Sequence, residues 1–325
     1  MLAPVPKADQ IQRFRTDLER LIGVPGKLGV AVSGGADSLA LLLLAQATFS
    51  ARVEAATVDH GLRPESVAEA NFVSDLCVRL SVPHATLRVK IAPGGEGLQG
   101  EARRARYAAL SAWAEERGIE ALCTAHHADD QAETILMRLQ RGSGVGGLAG
   151  VRPLRQDGKL LIARPLLGWS KAELRQVVGD AGVSPVEDPS NQDVRFDRVR
   201  TRQFLAANPQ FDVRRLARSA ASLGEADDAL EWLADLMEAE RCASADGEWK
   251  INVAGLPREV VRRLLVRAVA AVRDHHRIVP PWTGAEDVER LLQALEAGRK
   301  ATLASAMADC RGSLWRVRAA PPRRG

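Results

Sequence analysis

The chain has 325 residues, room for two domains of ordinary size, and its 46% hydrophobic and 26% charged residues exclude a disordered or fibrous chain. Its four cysteines, Cys77, Cys123, Cys242 and Cys310, form no CxxC pair, which argues against a structural zinc site or a disulfide framework. A net charge of +4 is modest, so its distribution says more than its size. The opening MLAPVPKADQ lacks a basic-then-apolar leader pattern. The most apolar run, Leu39–Phe49, is shorter than the roughly 20 residues that span a bilayer. A cytoplasmic protein with no membrane partner is expected.

Short apolar runs alternate with helical patterns to about residue 185. Leu28–Val32, Val53–Val58, His84–Ile91 and Ile119–Thr124 read as strands. Ser38–Gln46, Glu65–Leu80, Gly100–Arg117 and Asp129–Gln140 read as helices. That alternation predicts an α/β fold, a doubly wound parallel sheet with ligands bound beyond the carboxyl ends of its strands. The unusual residues fall at those ends: Ser33–Ser38, Asp59-His60-Gly61 and His126-His127. A glycine-rich loop, RGSGVGGLAG, follows, then LLIARPLL, a helix from Ser170 to Ala181, and the turn VEDPSN. Beyond it the pattern becomes mainly helical. Leu216, Leu223, Leu230 and Met237 recur every seven residues with Leu233 on the same face, and Glu259–Val272 and Ala285–Ala297 predict two more helices. The expected division is a catalytic domain over 1–205 and a helical domain over 206–325.

The densest chemistry lies in AVSGGADSLALL, Ala31–Leu42. Gly34 and Gly35 let backbone N–H groups approach a ligand closely, and the helix starting near Asp37 points its positive end at the same spot. Ser33 and Ser38 add hydroxyls, so the turn suits phosphate. Asp37 would repel phosphate unless a divalent cation lay between them, which implies Mg²⁺. A plain strand–turn–helix capped by Asp37 or Ser38 explains one of these residues, not the set. The lysine-bearing loop GxxxxGKS/T is absent.

In HHADDQAET, Asp130 and Glu133 stand three apart on one helix face, able to hold a cationic substrate, a metal or a proton in transit. The spacing is not HExxH. In EARRARYAAL, Arg103 and Arg106 share a helix face with Tyr107 and suit a phosphate or carboxylate, or simply solvent. Asp59-His60 ends a strand, where a satisfied buried histidine is the alternative. RFDRVRTRQF and RRLAR gather arginines beside phenylalanines, a pattern that fits a phosphate backbone with bases to stack, or a solvated helix face.

SGGADS after a strand resembles the loop of the N-type ATP pyrophosphatases, which split ATP between its α and β phosphates. VDHGLRPES, EARRARY, AHHADDQAET, RGSGVGGLAG, RPLL and EDPSN, in this order, are similar to the tRNA(Ile)-lysidine synthetase family over Leu28–Arg202. The resemblance implies an adenine nucleotide α-hydrolase-like domain and a ligase. O2 of the wobble cytidine in a CAU anticodon attacks the α-phosphate of ATP, and the ε-amine of free L-lysine then displaces AMP from C2. It also implies roles. Ser33, Gly34, Gly35, Ala36, Asp37 and Ser38 would bind ATP, with Asp37 at Mg²⁺ and His60 near the nucleotide. Asp130 and Glu133 would hold lysine's ammonium groups or deprotonate its amine, and Arg106 would engage a phosphate or the activated base. Arg195, Arg198, Arg200 and Arg202 would contact tRNA, as would the helical domain.

Val199 stands where the family often has asparagine, and a further C-terminal domain found in longer members is expected to be missing. Two other readings share the loop. A tRNA thiolase would need a reactive cysteine, for which Cys123 is the candidate by position. A non-catalytic nucleotide-binding regulator would not need Asp37, Asp130 and Glu133 together.

Overall fold

The computed structural model describes residues 5–61, 65–90, 97–186, 197–280, 282, 284 and 288–321. Arg195, the EDPSN motif and part of VDHGLRPES lie outside the described residues. Two compact units, Met1–Gly224 and Glu225–Gly325, divide the chain inside one long helix. The boundary expected from the sequence lies earlier, at 205/206.

The first unit carries strands β1 (Leu28–Ala31), β2 (Val53–Asp59), β3 (His84–Arg88), β4 (Ala121–Cys123), β5 (Leu154–Asp157) and β6 (Leu160–Ala163). Its helices are α1 (Ala8–Ile22), α2 (Ala36–Phe49), α3 (Glu65–Leu80), α4 (Gly97–Arg117), α5 (Ala128–Gln140), α6 (Val145–Leu148), α7 (Lys171–Asp180) and α8 (Asp197–Ala207). The strands form one sheet in the order β3-β2-β1-β4-β6-β5, parallel except for the β5–β6 hairpin at its edge. The four strands read from the sequence are β1 to β4. The edge hairpin is new.

Period-two alternation feeds two cores. Leu28, Val30, Val53, Ala55, Ala121 and Cys123 enter one, while Ala56, Leu122, Leu160 and Ile162 enter the other. Helices α1, α2, α3 and α7 supply the first core, and α4 supplies the second with Tyr107, Leu110 and Trp113. Because α2 lies against the sheet, α1 and α7, it is apolar all round and Leu39–Ala45 are buried. Truncating any of Leu41–Leu44 to alanine would cost about 2–5 kcal/mol. At Gly29 a Cβ would lie 3.0–3.2 Å from Ile119, Trp113 and Leu122, so glycine is what lets these side chains close on the strand.

The strand order reverses between β1 and β4. Chains leaving the carboxyl ends of these two strands must diverge, and the crevice so made is the natural ligand position in such sheets.

The second unit takes up the end of α9 (Val213–Arg241), whose Leu233 and Met237 pack on its core. The seven-residue stripe therefore belongs to one helix shared by both units. Helices α10 (Arg258–His275) and α11 (Val288–Glu296) follow, close to the two expected. Alongside them stand β7 (Cys242–Ala245), β8 (Glu248–Asn252), β9 (Ala301–Leu303), β10 (Ala306–Arg311) and β11 (Leu314–Ala319). These make an antiparallel sheet, β7-β8-β11-β10-β9, which the sequence reading does not contain. Ile251, Ala306, Ala308, Trp315 and Val317 bury its inner face against Val261, Leu264, Leu265 and Leu292.

Candidate active site

The stretch that follows β1 forms a closed turn. Gly34 has φ +86°, a conformation that side-chain-bearing residues rarely adopt, and its carbonyl accepts from Val186 N–H at 3.1 Å. Gly35 caps α2 with φ −75°, and a Cβ there would meet only Ser33 Oγ, at 3.8 Å. Protein packing therefore does not demand glycine at 35, although a ligand lying on the turn would. Ser38 Oγ donates to Gly35 O at 2.9 Å and accepts from Ser33 N at 3.1 Å. Its one proton is engaged, so of the two hydroxyls Ser33 Oγ, 3.2 Å away, has the freer proton for a ligand.

Asp37, in the first turn of α2, is bound on one side only. Oδ2 lies 3.3 Å from Nε2 of His127, while the buried Oδ1 has no hydrogen-bond partner among the described residues. Burial would raise this carboxyl, but the His127 hydrogen bond and charge win and hold it below its ordinary value. His127 itself is enclosed by three acids: Asp37, Asp129 at 3.5 Å and Asp130 at 3.7 Å. Burial opposes its charge, yet those carboxylates raise it to about 10, so it is an imidazolium at neutral pH. The side chain is 4% exposed and sits at the N-cap of α5. The expectation named no role for His127 or Asp129. The signal was the packing of two histidines and two aspartates into HHADD, which places one cation among acids.

Asp130 and Glu133 share a helix face as expected, but their surroundings differ. Asp130 lines the crevice, accepts from His127 N at 3.1 Å and stands 3.5 Å from Arg198 Nη2. Glu133 is 1% exposed and is saturated by α8: Arg202 Nε donates to Oε1 at 2.7 Å and Arg198 Nε to Oε2 at 3.0 Å. Two arginines expected on an RNA-facing patch are thus also the counterions that dock α8 on α5. Arg200 pairs with Asp197. Val199, where the family often has an amide, is a buried apolar contact.

The crevice beyond β1, β2 and β4 has a volume of about 560 Å³, within the range of small-ligand sites. One side is the Ser33–Ser38 turn with Asp37; Arg103, Arg106 and Arg198 line it elsewhere. His60, after β2, and His126, after β4, also line it and are both neutral. Burial, then Arg106, lowers His60, whereas burial lowers His126 to about 4 against the pull of Asp130. His60 Nδ1 is buried without a partner among the described residues, as is Asp37 Oδ1. Orphaned polar atoms facing one crevice call for a polar ligand. The Tyr107 ring braces three guanidiniums, Arg103, Arg106 and Arg155, at 4.9, 5.3 and 4.8 Å. The loop RGSGVGGLAG is tied down by Arg138, which donates to Gly150 O at 3.1 Å, and does not line the crevice.

Of the expected ATP-loop residues, Ser33, Gly35, Asp37 and Ser38 line the crevice at the switch point, with Asp130, His60, Arg106 and Arg198. Mg²⁺ typically takes one or two carboxylates and completes its shell with substrate phosphates and water. An unpartnered Asp37 Oδ1 beside the Ser33–Ser38 turn fits that donor set.

Comparison with known proteins gives a consistent result. The family model for the PP-loop domain matches residues 7–208. The tRNA(Ile)-lysidine synthase of Zymomonas mobilis subsp. mobilis is 40% identical over 321 residues, 97% of this chain and 95% of that protein. That of Novosphingobium aromaticivorans is 45% identical over 315 residues, 96% of this chain and 94% of that protein. Among solved structures, the U34-tRNA thiolase NcsA from Methanococcus maripaludis, with its 4Fe–4S cluster, aligns with TM-score 0.56 at 17% identity. It covers 67% of this chain and 79% of that one, a likeness of fold. No helix among the described residues is long and apolar enough to cross a membrane.

Proposed function

The chain belongs to the tRNA(Ile)-lysidine synthases, enzymes built on the PP-loop domain, and we propose that it joins free L-lysine to C2 of the wobble cytidine of a tRNA(Ile) with a CAU anticodon. The supporting observation is a single crevice in which an anion-binding turn and an unpartnered Asp37 oxygen stand with a crevice-lining carboxylate, Asp130. A triphosphate and an ammonium group satisfy both at once.

C2 of cytidine is amide-like and inert to amines until its oxygen becomes a leaving group. In the first step O2 attacks the α-phosphorus of ATP and the bond to the β,γ-pyrophosphate breaks. The Ser33–Ser38 turn and the N-terminus of α2 hold the departing phosphates through backbone N–H groups. Asp37 Oδ1 would hold Mg²⁺, which when bound neutralises phosphate charge. Arg106 engages a phosphate of the nucleotide and His60 lies against it. In the second step the ε-amine of lysine, having lost a proton, attacks C2. AMP leaves with the former O2, and loss of a second proton gives lysidine. Asp130 receives the ammonium and is positioned to take its proton. Glu133 joins it only by exchanging Arg198 or Arg202 for the incoming cation.

The thiolase reading loses support from the cysteines. Cys123, at the end of β4, is fully buried, and burial pushes its thiol up to about 12, far from the thiolate that sulfur transfer needs. Cys77 is buried with its thiol likewise near 12, and Cys242 and Cys310 belong to the second unit.

Pyrophosphate release tests the order of steps. With ATP, Mg²⁺ and the CAU tRNA alone, release is expected to stop near one equivalent, and lysine is expected to make it catalytic. Release that ignores tRNA, or nucleotide binding with no release, would overturn the reading.

A further inference from the structure

A second cavity, of about 410 Å³, opens between α5 and α8 and plays no part in the chemistry above. Its walls include Leu136 and Met137 of α5, with Phe204 and Phe211 at and beyond the end of α8. Phe204 is 47% exposed, Phe211 38% and Leu139 51%, a cluster of large apolar groups left open to water. The two rings are 5.6 Å apart and tilted by 44°. Phe211 is not on a loose tail. Its N–H donates to Asn208 O at 3.0 Å, and Asn208 Nδ2 donates to Phe204 O at 2.8 Å, so one hydrogen-bonded turn holds the backbone that carries both rings. Arg141 and Arg200 line the same cavity and share the carboxylate of Asp197, so two guanidiniums stand beside the rings.

Fixed aromatic faces beside guanidiniums match an unstacked nucleobase and its phosphate better than a peptide, for which hydrogen-bonding edges would be needed. The position agrees. Helix α5 carries Asp130 in its first turn and Gln140 at its end, about 15 Å apart at the helical rise. A wobble base held at the first cavity keeps its loop neighbours within that reach. We propose that the Phe204–Phe211 cavity takes one unstacked base of the tRNA anticodon loop outside the wobble position, with Arg141 and Arg200 at its phosphate. The proposal rests on the tRNA-modifying function given above.

The test uses the full chain and an anticodon stem-loop carrying 2-aminopurine at successive loop positions. Wild-type protein is expected to change the fluorescence at one position away from the wobble base. Phe204→Leu/Phe211→Leu keeps apolar volume but loses the stacking faces. It is expected to abolish that signal and raise KM for tRNA roughly 5- to 150-fold, the span of one stacked base. KM for ATP and the melting temperature should stay put. Unchanged tRNA KM and unchanged fluorescence in the double variant overturn the proposal. So does a loss of self-association in the variant with intact tRNA affinity, which would give the patch to a second copy of the chain. The binding signal does not require turnover. Wild-type protein that shows it but transfers no lysine keeps the stacking site and loses the proposed reaction.

Discussion

Nε2 of His127 lies 3.3 Å from Oδ2 of Asp37, so the acid in the first turn of α2 is paired with an imidazolium. One oxygen serves the protein and the other, Oδ1, is left for what binds the turn. This is how a carboxylate would be tolerated beside the phosphates of the proposed nucleotide.

His127 is raised from 6.5 to about 10, so its contribution to stability is fully present below about 6.5 and is lost as pH rises through about 10. Asp37 and Asp129 are lowered, so theirs is present above the ordinary carboxylate range and lost as pH falls through their lower values. His127→Gln leaves Asp37 and Asp129 without their imidazolium, and Asp130 with Arg198 alone, and should cost roughly 3–5 kcal/mol at pH 7. In urea titrations the gap to wild type should narrow from pH 7 to pH 10. A gap that widens with pH contradicts the ion cluster.

Asp37→Asn keeps the shape of the turn but removes the charge facing the phosphates. Pyrophosphate release should fall about 10²–10³-fold or more, by analogy with loss of one charge-stabilising group, while the protein still folds and melts cooperatively at a temperature lowered by loss of the His127 ion pair. Release within a few-fold of wild type refutes the metal-binding role.

Glu133 is 1% exposed and its two partners come from α8, so Arg202→Glu should be costly, about 3–5 kcal/mol, by leaving like charges buried together. Arg200→Ala should cost under about 1 kcal/mol, because the Arg200–Asp197 pair is exposed on both sides. Thermal melts separate the two. Equal, small losses would mean that α8 is not held by Glu133. A loss of tRNA binding on reversing Arg198 or Arg202 is therefore informative only after this fold control.

Cys123→Ser should leave lysine transfer within about twofold of wild type, and iodoacetamide should not label Cys123 in the native protein at pH 8. Rapid labelling there, or loss of transfer with the fold intact, would revive sulfur chemistry.

Much of the first unit is legible in the sequence because both of its signals are local. Strands such as Leu28–Val32 are apolar on both faces, and Ser33–Ser38 announces its turn through Gly34, the residue whose φ is +86°. The partners of the acids are not local. Nothing near Glu133 in sequence foretells that Arg198 and Arg202 meet it from α8, since that contact exists only after α5 and α8 pack. The second sheet is missed for two reasons. Its β9–β10 hairpin turns at Ala304-Ser305, both at positive φ, where Asn-Gly would be the usual mark. In β11 Trp315 and Val317 alternate with Arg316 and Arg318, which pair with Asp309 across the sheet, so a strand face reads as scattered charge. The Asp246-Gly247 turn between β7 and β8 does carry the usual mark and was readable.

Transfer of radiolabelled lysine to tRNA(Ile) with a CAU anticodon, in the presence of ATP and Mg²⁺, measures the proposed reaction itself. Acid-stable label should appear in the anticodon loop, one lysine per tRNA with one AMP formed, and should vanish when the wobble cytidine is replaced by uridine. Label that never enters the tRNA while ATP is still split, or that enters regardless of the wobble base, would contradict it.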